Sequence, residues 1–158
     1  MSLLPITDRT TVCIVDCGEG ICSCKPAGII TTAQTDIMTK KDKKITVDIP
    51  IYTGTLTTVL VEDWAELKSM YPAMDTEYLS SCYAAVVFTD EHTEDDGAHY
   101  VAAFCGRPEN KTIAHETVHV VNRVFSDRGI RPDPFNDEPQ AYLTGWVYGE
   151  IEDALKKL

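Results

Sequence analysis

The segment His115-Glu116-Thr117-Val118-His119 is the part of this chain best equipped for chemistry. It is a His-Glu-x-x-His string inside a stretch with helical periodicity. Residues four apart lie on one face of a helix, so His115 and His119 can direct two imidazoles at one metal ion, with Glu116 beside them as a base. That is zinc-hydrolase chemistry. The string is short enough to arise by chance, so its surroundings decide. Thr112, Ile113 and Ala114 precede it and Val120 and Val121 follow it, and none of these is charged.

A hydrolytic zinc site takes three protein ligands and keeps a fourth position for water. Glu138, with eighteen residues between it and His119, opens the segment EPQAYLTGW and is the candidate third ligand. Asp133 and Asp137 are nearby alternatives of equivalent ligand chemistry. A helix beginning near Asp137 carries Glu138, Ala141, Gly145 and Gly149 on one face, and small side chains there would let it approach the motif helix closely.

The uncharged flanks, the HETVH string and the downstream Glu resemble the gluzincin branch of the zincin peptidases, which includes thermolysin-like and aminopeptidase-type enzymes. The resemblance spans about Thr112 to Gly145, roughly a fifth of the chain. It implies an α+β, zincin-like single domain over residues 1–158. Composition and turn signals, not the resemblance, give a β-rich N-terminal part (1–60) of hairpins in a small mixed sheet ahead of a metal-binding core (61–158), where the resemblance implies the HExxH helix and a C-terminal helix carrying the third ligand. It implies one catalytic Zn2+ on His115, His119 and Glu138, with Glu116 taking the proton of a zinc-activated water and passing it to the leaving amine. Peptide or protein would be the substrate. By position, the strand His99 to Phe104 resembles the edge strand that lines such a cleft and pairs with an extended peptide. The compact layout also resembles small metallopeptidases carried by bacteriophages or prophages. A transition-state donor could come from His99, Tyr100, Tyr142 or Tyr148, and the sequence selects none of them. A zincin-like binding or structural module without turnover is the competing reading.

The elements that must position these residues follow from periodicity. Residues 1 to about 60 are rich in Thr, Ile, Val and Gly, with turn signals at Gly18, Gly20, Pro26 to Gly28 and Gly54. Ile45, Val47, Ile49 and Ile51 alternate with polar residues as one face of a strand, and Pro50 predicts an edge position. Lys40 to Lys44 reads as a solvated turn. Asp63 and Glu66 form a capping box for a short helix, bearing Trp64, Leu67 and Tyr71, that ends before Pro72. Ala84–Phe88 and His99–Phe104 are strands separated by the acidic run Asp90 to Asp96, where His92 is a surface residue. Asn110 is an N-cap for the motif helix, which runs to about Arg128 with Gly129 as its C-terminal cap. Its apolar stripe of Ile113, Val120, Val121 and Val124, joined by Val118 and Phe125, predicts burial on most sides. Asp137 and Gln140 resemble a second capping box, and the last helix runs toward Lys156 and Lys157.

Length and composition bound the rest. With 158 residues and 44% apolar content, the chain suits one domain with a real core. Fourteen basic against 25 acidic residues give a net charge of -11, which disfavours nucleic acid or an anionic membrane as partner. The start, MSLLPITDRTT, lacks a basic n-region and an apolar h-region, and no run is long enough to span a bilayer, so a cytoplasmic location is expected. Six cysteines without a signal peptide point to thiols or metal ligands. Cys13, Cys17, Cys22 and Cys24 have three, four and one residues between them, unlike a zinc ribbon, so free thiols are preferred over a second zinc there. The loop could also be a metal-binding interaction module in its own right. Cys82 and Cys105 read as small buried hydrophobes.

Overall fold

Two near-continuous apolar runs, YAAVVFTD and HYVAAFC, set the centre of the molecule. Such runs suit strands covered on both faces. The structure, a computed structural model, describes residues 13–16, 43–74, 79, 83–91 and 97–158. In chain order the elements are β1 (Cys13–Asp16), β2 (Lys44–Asp48), β3 (Thr55–Val61), α1 (Trp64–Met70), β4 (Tyr83–Asp90), β5 (His99–Cys105), α2 (Asn110–Asp127) and α3 (Glu138–Lys157). The five strands form one mixed sheet in the order β1-β4-β5-β3-β2. β3 and β5 are parallel, from Thr55 opposite His99 to Val61 opposite Cys105, and the other pairs are antiparallel.

The two-residue period of the strands divides the core between two faces. Leu56, Ala85, Val87, Tyr100, Ala102 and Phe104 pack against Ile113, Val120, Val124, Leu143, Val147 and Ile151 of α2 and α3. Val59, Val61, Val86, Phe88, Val101 and Ala103 meet Trp64, Leu67 and Tyr71 of α1 and its continuation. The fold is therefore a mixed α+β arrangement with a sheet between helical layers, in line with the α+β expectation. Turn signals before residue 29, together with Cys17, Cys22, Cys24, Cys82 and His92, lie outside the described residues.

Several local expectations hold and several are corrected. Asp63 caps α1 through a bond from the Glu66 amide (3.0 Å), but Glu66 returns its carboxylate to the Glu62 amide and to Lys43 Nζ (2.6 Å). Lys43 is thus part of an ion pair rather than a free turn residue. β2 lies at a sheet edge, as Pro50 predicts, yet Ile51 does not continue its buried face. Ile51 has φ 69° and is 97% exposed, because the chain reverses after Ile49, whose amide donates to the Gly54 carbonyl at 3.0 Å. α2 starts at Asn110 with Glu109 in the cap position, and Asp137 caps α3 without a side-chain bond, so neither proposed cap there forms as expected. Gly129, at φ 65°, does close α2, with the Ile130 amide returning to the Phe125 carbonyl at 2.8 Å.

Gly54 is fixed by two constraints at once. Its φ is 123°, and a Cβ built on it would lie 2.3 Å from the Ala98 carbonyl oxygen, which already accepts the Thr55 amide at 3.0 Å. Gly54→Ala should therefore cost about 2–4 kcal/mol of folding free energy. Urea denaturation would register this as a lower midpoint at unchanged slope, and an unchanged midpoint would mean that the close approach is not a constraint.

Candidate metal centre

α2 positions the motif. Its buried positions are Thr112, Ile113, Glu116, Thr117, Val120, Val121, Val124 and Phe125, a single broad face. Since successive residues turn by about 100°, His115 and His119 fall on the other side of the helix. His115 is exposed and His119 half-buried, while Val118 is 47% exposed. Burial on most sides, expected from the sequence, is thus replaced by burial of one face.

The histidine pair converges. The Nε2 atoms of His115 and His119 are 2.9 Å apart, and the rings meet edge-on with centroids separated by 4.6 Å. With both rings neutral, one Nε2–H donates to the other Nε2. Burial first, then the adjacent His115 and the Arg123 guanidinium, hold the His119 imidazole below its usual pKa. A neutral imidazole is the form that binds metal. A tetrahedral zinc with Zn–N near 2.0–2.1 Å separates two nitrogens by about 3.3 Å, so a small opening of this pair suits such an ion.

Glu116 behaves differently from its neighbours. It is fully buried, and neither carboxylate oxygen has a hydrogen-bond partner. Burial pushes its carboxyl up from 4.5 to about 8. A buried acid without a partner costs stability and is kept neutral by its surroundings. It is therefore a strong carboxylate base once its proton leaves.

Which flank of α2 carries this stripe is settled by two contacts. Arg123, one turn beyond His119, donates from Nη2 to the Val87 carbonyl of β4 at 3.1 Å. Phe125, two residues on and so about 160° round the helix, meets Tyr52, between β2 and β3, at a ring separation of 6.0 Å. The His119–Arg123 flank thus faces the β4 side of the sheet. Sequence reasoning missed Arg123, although its i+4 spacing from His119 was a usable signal.

The structure does not bring Glu138 to the histidines. α3 lies over β2 and β3, the opposite flank of α2. Arg107, just before α2, donates to the Leu155 carbonyl near the end of α3, so the two helices run antiparallel and Glu138 starts beside the far end of α2. His119 lies eight residues before Asp127, roughly 12 Å along the axis at 1.5 Å per residue. Glu138 is exposed on the side of α3 away from Leu143, Val147 and Ile151, and an added Cβ at Gly145 or Gly149 would meet nothing within 4 Å. The small-residue face that was expected to pack on α2 faces open space instead. Among the described residues, no three His, Cys, Asp or Glu side chains form a metal-holding group.

The other candidates also separate from the pair. β5 is not an edge strand, because β3 and β4 pair with it on either side, so it cannot receive a substrate strand. Tyr100 is buried and donates to Asp127 Oδ2 at 2.9 Å, at the end of α2 far from His115. His99 Nδ1 is bonded to Thr55 Oγ1 at 2.8 Å at that same end of the sheet. Tyr142 is 76% exposed on α3, and Tyr148 packs against the core. Cys105 is half-buried, and its Sγ donates to the Glu62 carbonyl at 3.4 Å. No helix among the described residues is long and apolar enough to cross a membrane. Compared with protein-family models, curated proteins and solved structures, the chain matches none.

Proposed function

We propose that this protein is a zinc-dependent peptide hydrolase of zincin-like build, with His115 and His119 holding the metal and Glu116 as general base. One observation carries the reading: two imidazole nitrogens converge within 2.9 Å, with a buried, unpartnered carboxyl adjacent in sequence. Zinc held there would polarise a substrate carbonyl and lower the pKa of bound water toward roughly 7. The chain's own contribution is positional. His119 is kept neutral by burial and by Arg123, so it is available as a ligand at neutral pH. Glu116 holds a proton at its carboxyl in the resting protein and becomes a base by turning from the core toward the histidine stripe. Arg123, anchored on Val87, fixes that stripe above β4.

Glu138 is the third ligand that the zincin resemblance implies, and the separation of α3 from the pair argues against its taking part. Glu138→Ala should leave zinc affinity within about threefold of the parent, against a loss of at least about a hundredfold for either histidine variant. Isothermal titration would decide. A tenfold loss for Glu138→Ala would restore it to the ligand set.

Burial of both Glu116 oxygens favours a second reading, a metal-binding module of the same fold without turnover. Casein, an unstructured protein substrate, separates the two. The first reading predicts chelator-sensitive cleavage that Glu116→Gln abolishes while zinc stays bound. Zinc binding with no cleavage in any variant would select the second.

A further inference from the structure

α3 turns one face to the core through Leu143, Val147, Ile151, Ala154 and Leu155. At about 100° per residue these span an arc of about 120°, and Glu138, Tyr142, Gly145, Gly149, Glu152 and Lys156 fall within about 80° on the far side. Of this outer ridge, Glu138, Tyr142, Gly145 and Lys156 are exposed, and Gly149 and Glu152 are half-buried. Its residues alternate at spacings of four and three, the pattern of a helix seam that meets another helix. Neither glycine is required by its own fold, since a Cβ at Gly145 or Gly149 would meet nothing within 4 Å. Glycine weakens a helix interior relative to alanine, so the pair leaves room at a cost, and the described residues do not fill it. Tyr142 stands beside that room as a large ring turned to solvent.

The ridge is also self-complementary in charge. Glu138 and Lys156 each lie nine residues from Val147, Tyr142 and Glu152 each five, and Gly145 and Gly149 each two. An identical helix laid antiparallel about Val147 therefore sets acid against base at both ends and glycine against glycine at the centre. A parallel copy would instead set Glu138 on Glu138 and Lys156 on Lys156.

We propose that this ridge is a self-association surface, through which a second copy of the chain pairs with the first as a two-fold, antiparallel dimer of α3 helices. The symmetric placement of opposite charges selects a second copy over a foreign helix, because a two-fold contact must complement itself. Lys156 Nζ already bonds Glu152 at 2.9 Å and Asp153 at 3.1 Å within its own helix. An ammonium group has three donors, so one is left for the partner's Glu138. With glycine at the centre the two axes can approach to about 8 Å, the near end of helix spacings. Tyr142 then covers the partner's Gly149, and its hydroxyl donates to the partner's Glu152. From Glu138 to Lys156 the ridge is about 27 Å long and one helix wide, a small interface, so the dimer dissociates in the micromolar range. The pairing does not depend on the metal site.

Sedimentation equilibrium of the full chain, with chelator and reductant present and from about 1 µM to about 1 mM, reads the association. The parent should distribute between monomer and dimer. Glu138→Lys and Lys156→Glu should each weaken the dimer at least tenfold, since each sets like charges together at both ends. An equimolar mixture of these two variants should associate at least tenfold more tightly than either alone, because each then supplies the charge the other lacks. Gly145→Gln with Gly149→Gln should be monomeric throughout, with a urea midpoint no lower than the parent's, as glutamine is the better helix former. A parent that is monomeric over the whole range, a dimer that survives the glutamine pair, or charge variants that associate like the parent would overturn the proposal. So would a mixture no tighter than its components.

Discussion

Glu116→Gln is expected to stabilise the metal-free protein by several kcal/mol at pH 8 and to change little at pH 5. The sign follows from linkage. The carboxyl titrates at about 8 in the folded chain and at 4.5 without the fold, so between these values the folded state binds the extra proton. Unfolding then becomes easier as pH rises, because ionisation is open only to the unfolded chain. Below pH 4.5 the penalty is absent, and above about 8 it is complete. At 1.36 kcal/mol per pH unit the full span corresponds to roughly 4–5 kcal/mol, an upper figure for a carboxyl with no partner. Glutamine keeps the shape, never ionises, and leaves its amide as unsatisfied as the acid it replaces, so the slope disappears without a new packing defect. Urea unfolding in the presence of chelator between pH 5 and 8.5 would measure it. Parallel pH profiles for the parent and the variant would mean that Glu116 is solvated or paired after all. A residue that destabilises its own fold and yields stability when replaced fits a group retained for chemistry.

The second large effect concerns the histidines. His115→Ala and His119→Ala should each lower zinc affinity by at least a hundredfold, because each removes one of two converging donors and leaves a single imidazole at the surface. Neither change should cost more than about 0.5–1 kcal/mol of stability in the metal-free state, since both rings lie off the buried face of α2. Affinity and stability are thus expected to separate at these positions. At Glu116 they are expected to move in the reverse pattern, with zinc retained and stability raised.

Much of this arrangement was legible in the residues. Apolar runs at Ala84–Phe88 and His99–Phe104 declare strands, and Asp63, Gly129 and the i+4 histidines mark helix ends and the convergent pair, because these signals are local. The relation between elements was not legible. β5 directly precedes the motif helix, yet it is interior, since β3 and β4, both earlier in the chain, pair with it on either side in space. The spacing of Glu138 from His119 carries no information on which flank of α2 the returning helix takes, and α3 takes the flank away from Arg123. Glu116 lies between the histidine and core stripes of its helix, and the hydrophobic pattern alone does not say that its carboxyl turns inward. Alternation through Pro50 places Ile51 on the strand face, whereas its backbone, at φ 69°, has already left the strand.

The histidine pair as metal ligand is the central claim, and cobalt substitution tests it most directly. Co2+ reports its ligands through its visible spectrum, and thiolate ligation adds a charge-transfer band that imidazole does not, so binding at the histidines is distinguishable from binding at the N-terminal cysteines. The predicted result is one Co2+ per chain with a spectrum free of thiolate character, displaced by one equivalent of zinc and lost in the His115→Ala, His119→Ala double variant. A spectrum that survives that double replacement, or one dominated by thiolate bands, would contradict it.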